Sequence, residues 1–333
     1  MIDSDKLSAY RSLVSDIQDD LIDQSKTDTA VEGKLKARWE EAKSKERTAD
    51  SFAEWREQHT EQVAVAWVLT TIFVRYLEDN GLLDDIRIAG RGQDGEAEVE
   101  DNQRYFFSEH QTASETDYLL SIFEELAELP AGELFGRERN ALYEMRPSGD
   151  AGLEILEFFR KTDPDTTELV HQFETDGGDT RFLGDLYQDL SEAARKRYAL
   201  LQTPEFVEEF ILNLTLDPAI DTFGLDEFRF IDPTCGSGHF LLGGFRRILD
   251  RLRERYPAMD RAKRVRRALA ATHGVDINPF ATSVARFRLL IAALYERQGP
   301  QQRTPALADA PELPLKVATG DALILGRQFT PWH

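Results

Sequence analysis

The sequence predicts an α/β chain: an all-helical N-terminal domain over residues 1–195, then the first part of a doubly wound parallel sheet over residues 196–333. Three observations predict it. No strand pattern of weight occurs before residue 228. Beyond that point short apolar runs alternate with amphipathic stretches, the mark of parallel βαβ units. The two parts also differ in charge, because residues 201–333 carry 17 Lys and Arg against 16 Asp and Glu, which leaves 23 against 45 for residues 1–200.

The elements follow in order. Residues 34–47 are rich in Lys, Glu and Arg and read as a solvated helix. Residues 63–77 are apolar nearly all round, as a helix at the centre of a bundle would be. That helix ends at Glu-Asp-Asn-Gly, with Gly81 as its C-cap. Residues 89–103, rich in glycine and acid, read as a loop, and helices follow near 116–127, 152–161 and 183–198. In the second part residues 228–231 are a strand and 239–256 a helix. A second strand at 273–276 leads into a helix from Pro279 to Tyr295, proline being well placed in a first turn. A loop rich in Pro and Gln, 299–314, precedes a third strand at 315–319.

Composition narrows the class. At 333 residues and 41% hydrophobic, the chain can bury one large core or two smaller ones. No apolar run reaches the ~18 residues of a membrane span, and the N-terminus lacks a secretory pattern. A single cysteine, Cys235, excludes an internal disulfide framework and points to a reducing cytoplasm. The net charge of −21 lies in the first part, whose acidic surface would repel nucleic-acid phosphates. Six scattered histidines show no metal-ligand spacing. Residues 246–267 concentrate ten basic side chains against three acidic ones, which reads as the solvated outer face of a helix.

The informative segment is Phe-Ile-Asp-Pro-Thr-Cys-Gly-Ser-Gly-His, residues 230–239. An apolar strand ends on Asp232, turns through Pro233, Gly236 and Gly238, and opens a helix. Such a turn is where doubly wound proteins receive nucleotide-like ligands: glycines let a ligand approach the backbone, and free helix N–H groups donate to its anionic end. The wording is not the dinucleotide Gly-x-Gly-x-x-Gly, which argues against a nicotinamide enzyme. Three further segments are ordered around it: Thr-Pro at 203–204, Gly-Val-Asp-Ile-Asn-Pro at 274–279, and Thr-Gly-Asp-Ala-Leu at 319–323. Alone, Thr203-Pro204 is an N-cap followed by a first-turn proline. Asp276 ends the second strand, where an acidic residue can bind ribose hydroxyls. His239 reads as structural, and Cys235 as a small buried filler with no base beside it.

Together these segments resemble motifs X, I, II and III of the adenine-N6 DNA methyltransferases, which use S-adenosylmethionine. The resemblance implies a cofactor site made by Thr203, Pro204, Asp232, Pro233, Cys235, Gly236, Gly238, Asp276, Ile277, Asp321 and Ala322. In it Asp232 faces the cofactor's amino group and Gly236 and Gly238 line its methionine end. Asp276 takes the ribose, Ile277 packs on the adenine, and Asp321 accepts from the adenine N6 amine. Gln202 stands where motif X normally has Tyr. Residues 67–82, Trp-Val-Leu-Thr-Thr-Ile-Phe-Val-Arg-Tyr-Leu-Glu-Asp-Asn-Gly-Leu, resemble a helix end in the large methyltransferases of BREX phage-defence systems, relatives of restriction-modification subunits.

The (Asn/Asp)-Pro-Pro-(Tyr/Phe) motif, which in this family holds the flipped adenine, does not occur in the sequence; Asn278-Pro279-Phe280 belongs to motif II. No catalytic residue is therefore assigned. The expectation is the cofactor-binding, N-terminal portion of a longer enzyme, inactive alone, with the 228–231 strand left as an apolar open edge. Double-stranded DNA would be met through the part that follows. Partners would be other defence proteins or a complementing methyltransferase half. The alternative is a catalytically silent S-adenosylmethionine-binding module or split subunit that recruits defence partners.

Overall fold

The computed structural model describes residues 4–45, 48–190, 203–298 and 306–323. Seven described helices make the first part: α1 (Ser4–Thr27), α2 (Thr29–Ser44), α3 (Phe52–Asp79), α4 (Gly92–Glu109), α5 (Glu115–Ala127), α6 (Gly149–Arg160) and α7 (Arg181–Leu190). The second part runs α8 (Glu205–Phe223), β1 (Phe230–Asp232), α9 (His239–Arg255), α10 (Arg261–Ala271), β2 (Thr272–Asp276), α11 (Pro279–Gln298) and β3 (Lys316–Thr319). The strands form one parallel sheet in the order β1-β2-β3. Asp232 lies opposite Gly274, and Asp276 opposite Thr319.

α3 is the axis of the helical part. Ser51 and Glu54 close a capping box at its start, satisfying N–H groups that the first turn leaves orphaned. From residue 63 to 78 every side chain is buried, Arg75 included. A buried guanidinium is tolerated only when paired, and Arg75 reaches Glu78 and Asp79 at 2.6 Å each as well as the Ala89 carbonyl. Glu78 accepts from the Arg87 and Ile88 amides at 2.8 Å, and Asp79 from Phe173 N–H at 2.8 Å. Asn80 bonds the Phe173 carbonyl and the Thr175 amide. The polar end of this helix therefore knots two distant loops to the core. The helix closes on Asn80, and Gly81 follows with φ of 63°.

Three sequence expectations are corrected. Residues 89–103 are not a loop: α4 occupies most of them. Gly95 within it serves close approach to Gly90 just before it, since a Cβ on Gly90 would lie 2.1 Å from the Gly95 carbonyl oxygen. Glu98 and Asn102, read as loop polarity, bond the Ile86 amide and carbonyl at 2.9 Å each. Second, the basic run contains a separate helix, α10, capped by Asp260 and buried through Val265, Ala268 and Leu269. Third, the first strand starts at Phe230 rather than 228 and takes in Asp232. The expected 34–47 helix is α2, which starts earlier, at Thr29 under an Asp28 cap. The end of the helix expected to residue 198 and the start of the loop expected over 299–314 lie outside the described residues; the rest of that loop holds one short 3-10 helix, Leu307–Asp309.

Two hydrophobic clusters result, and α11 serves both. Phe287, Leu290, Ile291 and Leu294 pack with the helical part, while Ala285, Leu289, Ala292 and Ala293 pack with α8, α9 and α10. Phe73 of α3 meets Phe287 edge to face at 5.3 Å, a favourable aromatic geometry. Among the described residues no helix is long and apolar enough to cross a membrane.

Candidate functional site

The site forms where the three strands end. Gly236 and Gly238 adopt φ of 53° and 90°, which L side chains avoid, and this lets the chain reverse from β1 into α9 within six residues. The Cys235 amide donates to Val275 O at 2.9 Å and its carbonyl accepts from Gly238 N–H at 2.8 Å, so the turn is stitched to β2 and to itself. Its thiol is buried, packed where a Cβ on Gly274 would meet it, and burial pushes it far above the ordinary thiol range. That is a filler, not a nucleophile.

Asp276 is the hub. Its Oδ2 accepts from Gly236 N–H at 2.8 Å, its Oδ1 from Asn278 N–H at 2.9 Å, and its carbonyl from Gly320 N–H at 2.8 Å. One residue thus fixes the turn after β1, the turn after β2 and the turn after β3. Each carboxylate oxygen uses one lone-pair direction on backbone and keeps further acceptor capacity. Ile277, beside it, is 61% exposed, so the apolar face next to the carboxylate is open.

Asp232 is half-buried and caps its own turn through Thr234 N–H at 3.0 Å. Burial, with Asp276 adding repulsion, holds its carboxyl above the usual range. Asp321 lies just past Gly320 and caps a turn through Leu323 N–H at 2.8 Å, with Ala322 exposed. Thr203 and Pro204 precede α8, and the expected Thr203 cap is corrected: Pro204, not Thr203, is the N-cap, without a side-chain cap bond, while Arg181 donates to Thr203 O at 3.0 Å and pairs with Glu208, also at 3.0 Å. Glu208 in turn packs on Gly243 of α9. The motif I, II and III segments therefore meet in one hydrogen-bonded unit, while Thr203-Pro204 is joined to it through helix packing. Pro233 borders an open apolar groove of about 940 Å³, lined by Ile211, Phe223, Phe228 and Ile231, along the free edge of β1.

Other residues shape the site without a sequence signal. Arg288 is fully buried beneath the turn and donates to Ser237 O at 2.7 Å; burial pushes its pKa down to about 10. His239 stands 3.2 Å from Asp185, and burial lowers its pKa, which favours the neutral imidazole. Arg139 reaches Thr319 Oγ1 at 3.1 Å, at the end of β3. Each contact spans more than fifty residues of chain, beyond any local pattern.

Residues 222–325, which hold this strand-end turn and its parallel sheet, match the family model described as MmeI, DNA-methyltransferase domain. Over 326 residues the chain is 44% identical to the adenine-specific methyltransferase PglX of Streptomyces coelicolor. The similarity takes in 96% of the chain, which spans 27% of the relative's length. No solved structure matches it.

Proposed function

We propose that residues 203–323 hold S-adenosylmethionine, as the donor for methylation of adenine N6 in double-stranded DNA by a cytoplasmic phage-defence methyltransferase. The observation that carries this reading is the Asp276 hub, which presents one carboxylate, an exposed isoleucine and two glycine turns at the ends of three parallel strands. The residues present fit the group. A Cβ on Gly236 would meet nothing within 4 Å, so its outer face is open for a ligand to lie against the backbone. Asp232 supplies a carboxylate for an ammonium, Asp276 acceptors for a diol, Ile277 an apolar face for a purine, and Asp321 an acceptor at the third strand. When bound, the cofactor supplies a methyl group activated by its sulfonium.

The chain's own contribution is to bind and orient. Its turns are fixed by backbone hydrogen bonds before any ligand arrives, so little ordering cost falls on binding. The acceptor base needs hydrogen-bond acceptors and a stacking ring, which no motif within the described residues provides. These 333 residues alone are therefore proposed to bind the donor without transferring its methyl. DNA and any defence partners would be engaged with further chain or another subunit.

Calorimetric titration tests the reading. S-adenosylmethionine should bind and NAD should not, and Asp276→Asn should weaken binding at least tenfold, about 1.4 kcal/mol. Affinity should fall as pH drops through the raised Asp232 pKa, because the ammonium partner requires the carboxylate, and Asp232→Asn should flatten that dependence. The sign for stability is opposite: an acid whose folded pKa is raised contributes most when protonated, and loses that contribution as pH rises. Absence of binding both here and in a longer protein would sink the proposal.

A further inference from the structure

α7, from the helical part, is built against the back of the strand-end turns. Gly184 fits beneath motif I: a Cβ there would lie 2.4 Å from Arg288 Nη1 and 2.8 Å from Ser237 Oγ. One turn on, the Tyr187 hydroxyl accepts from Asn278 Nδ2 at 2.5 Å. Asn278 is 3% exposed, so every polar atom of its amide needs a partner inside the protein. Its Oδ1 is committed to the amides of Phe280 and Ala281, at 3.0 and 3.3 Å, capping the start of α11. Its Nδ2 must then find an acceptor, and Tyr187 provides it. A flipped amide would place Nδ2 against the helix N–H groups and lose both caps.

The consequence reaches the ligand side. Asn278 N–H donates to Asp276 Oδ1, and the other oxygen of Asp276 holds Gly236 N–H. Tyr187, Asn278, Asp276 and Gly236 thus form one connected hydrogen-bonded path from the helical part to the turn. We propose that Tyr187 is a positioning residue for the cofactor site, fixing the amide that sets the Asp276 carboxylate, so that the helical part controls cofactor affinity. This rests on the reading of Asp276 as a cofactor ligand.

The test is Tyr187→Phe, which removes the acceptor and leaves the ring on Phe280, 5.1 Å between centroids. Tyr118→Phe is the comparison, because it removes a buried hydroxyl whose 2.9 Å bond to Arg87 O lies elsewhere in the helical part. Expected is an increase of about tenfold in the Kd for S-adenosylmethionine in Tyr187→Phe. Faster hydrogen exchange at the Gly236 and Asn278 amides of the ligand-free protein should accompany it. Tyr118→Phe should lower Tm but move neither. Unchanged exchange and Kd in Tyr187→Phe would overturn the proposal, as would equal changes in both variants. If the exchange effect appears but the parent protein binds no S-adenosylmethionine, the positioning path stands and the cofactor reading falls.

Discussion

α3 and α8 are both helices rich in large apolar side chains, and they have met opposite fates. α3 is enclosed from residue 63 to 78 by α1, α7, α11 and the loops that its polar end ties down. α8 buries one stripe, Glu208, Leu212, Leu216 and Ile220, at a spacing of four against α9. Its outer side leaves Phe206 73%, Phe210 61%, Leu214 62% and Phe223 80% exposed, and of these Phe223 borders the groove along the free edge of β1. Hydrophobicity in the sequence marks a surface that wants cover; it does not say whether the cover lies in the same stretch of chain. An exposed patch of this kind marks an interaction surface or a liability to associate.

Matched truncations should separate the two helices most sharply. Phe73→Ala removes a fully buried ring from the contact of α3 with α11, and should cost about 3–5 kcal/mol. Chemical denaturation followed by far-UV circular dichroism reads this directly. A loss below about 1 kcal/mol would mean that the core of the helical part collapses around the gap, and that the enclosure of α3 is looser than its burial implies.

A smaller effect is expected at the turn between the two regions. Gly238 sits at φ of 90°, and a Cβ there would lie 2.9 Å from the Ala285 Cβ on α11. Gly238→Ala should cost about 2–3 kcal/mol, from the left-handed backbone and the overpacking together. Gly236→Ala meets no neighbour and should cost about 1 kcal/mol, from the backbone alone. Thermal unfolding of the pair checks the ranking. The reverse order would show that α11 yields at Ala285 and does not fix the turn.

These particulars show what was legible beforehand. The parallel sheet, the strand-end turn and the buried axis at 63–77 could be read because each is a local pattern: period, glycine placement, a run of apolar residues. α4 could not, because Gly90 and Gly95 pack against each other, and a glycine used for close approach looks like a glycine used for a turn. α10 hid in a basic run because its buried Val265, Ala268 and Leu269 are interleaved with arginines and small alanines. Within the site the sequence reached Asp276, but not the reason it is rigid. Tyr187 and Arg288 contribute through contacts 91 and 51 residues distant in the chain. Likewise the Glu-Asp-Asn end of α3 carried a family resemblance, while its work in the fold is to receive amides from loops far along the sequence.

The smallest effect is the most diagnostic for α8. Phe210→Ala removes the same ring as Phe73→Ala, from a side chain that is 61% exposed. Surface truncations away from caps and cores shift stability by no more than about 0.5 kcal/mol, so the denaturation midpoint should stay where it is. What should change is association. With the apolar outer face of α8 interrupted, light scattering at high concentration and binding of a hydrophobic dye should both fall. If Phe210→Ala instead destabilised the chain as much as Phe73→Ala, the outer face of α8 would be packed in solution, and the contrast with α3 would vanish. If stability and association both stayed unchanged, the outer face of α8 would be exposed yet inert, with no role in drawing a partner onto it.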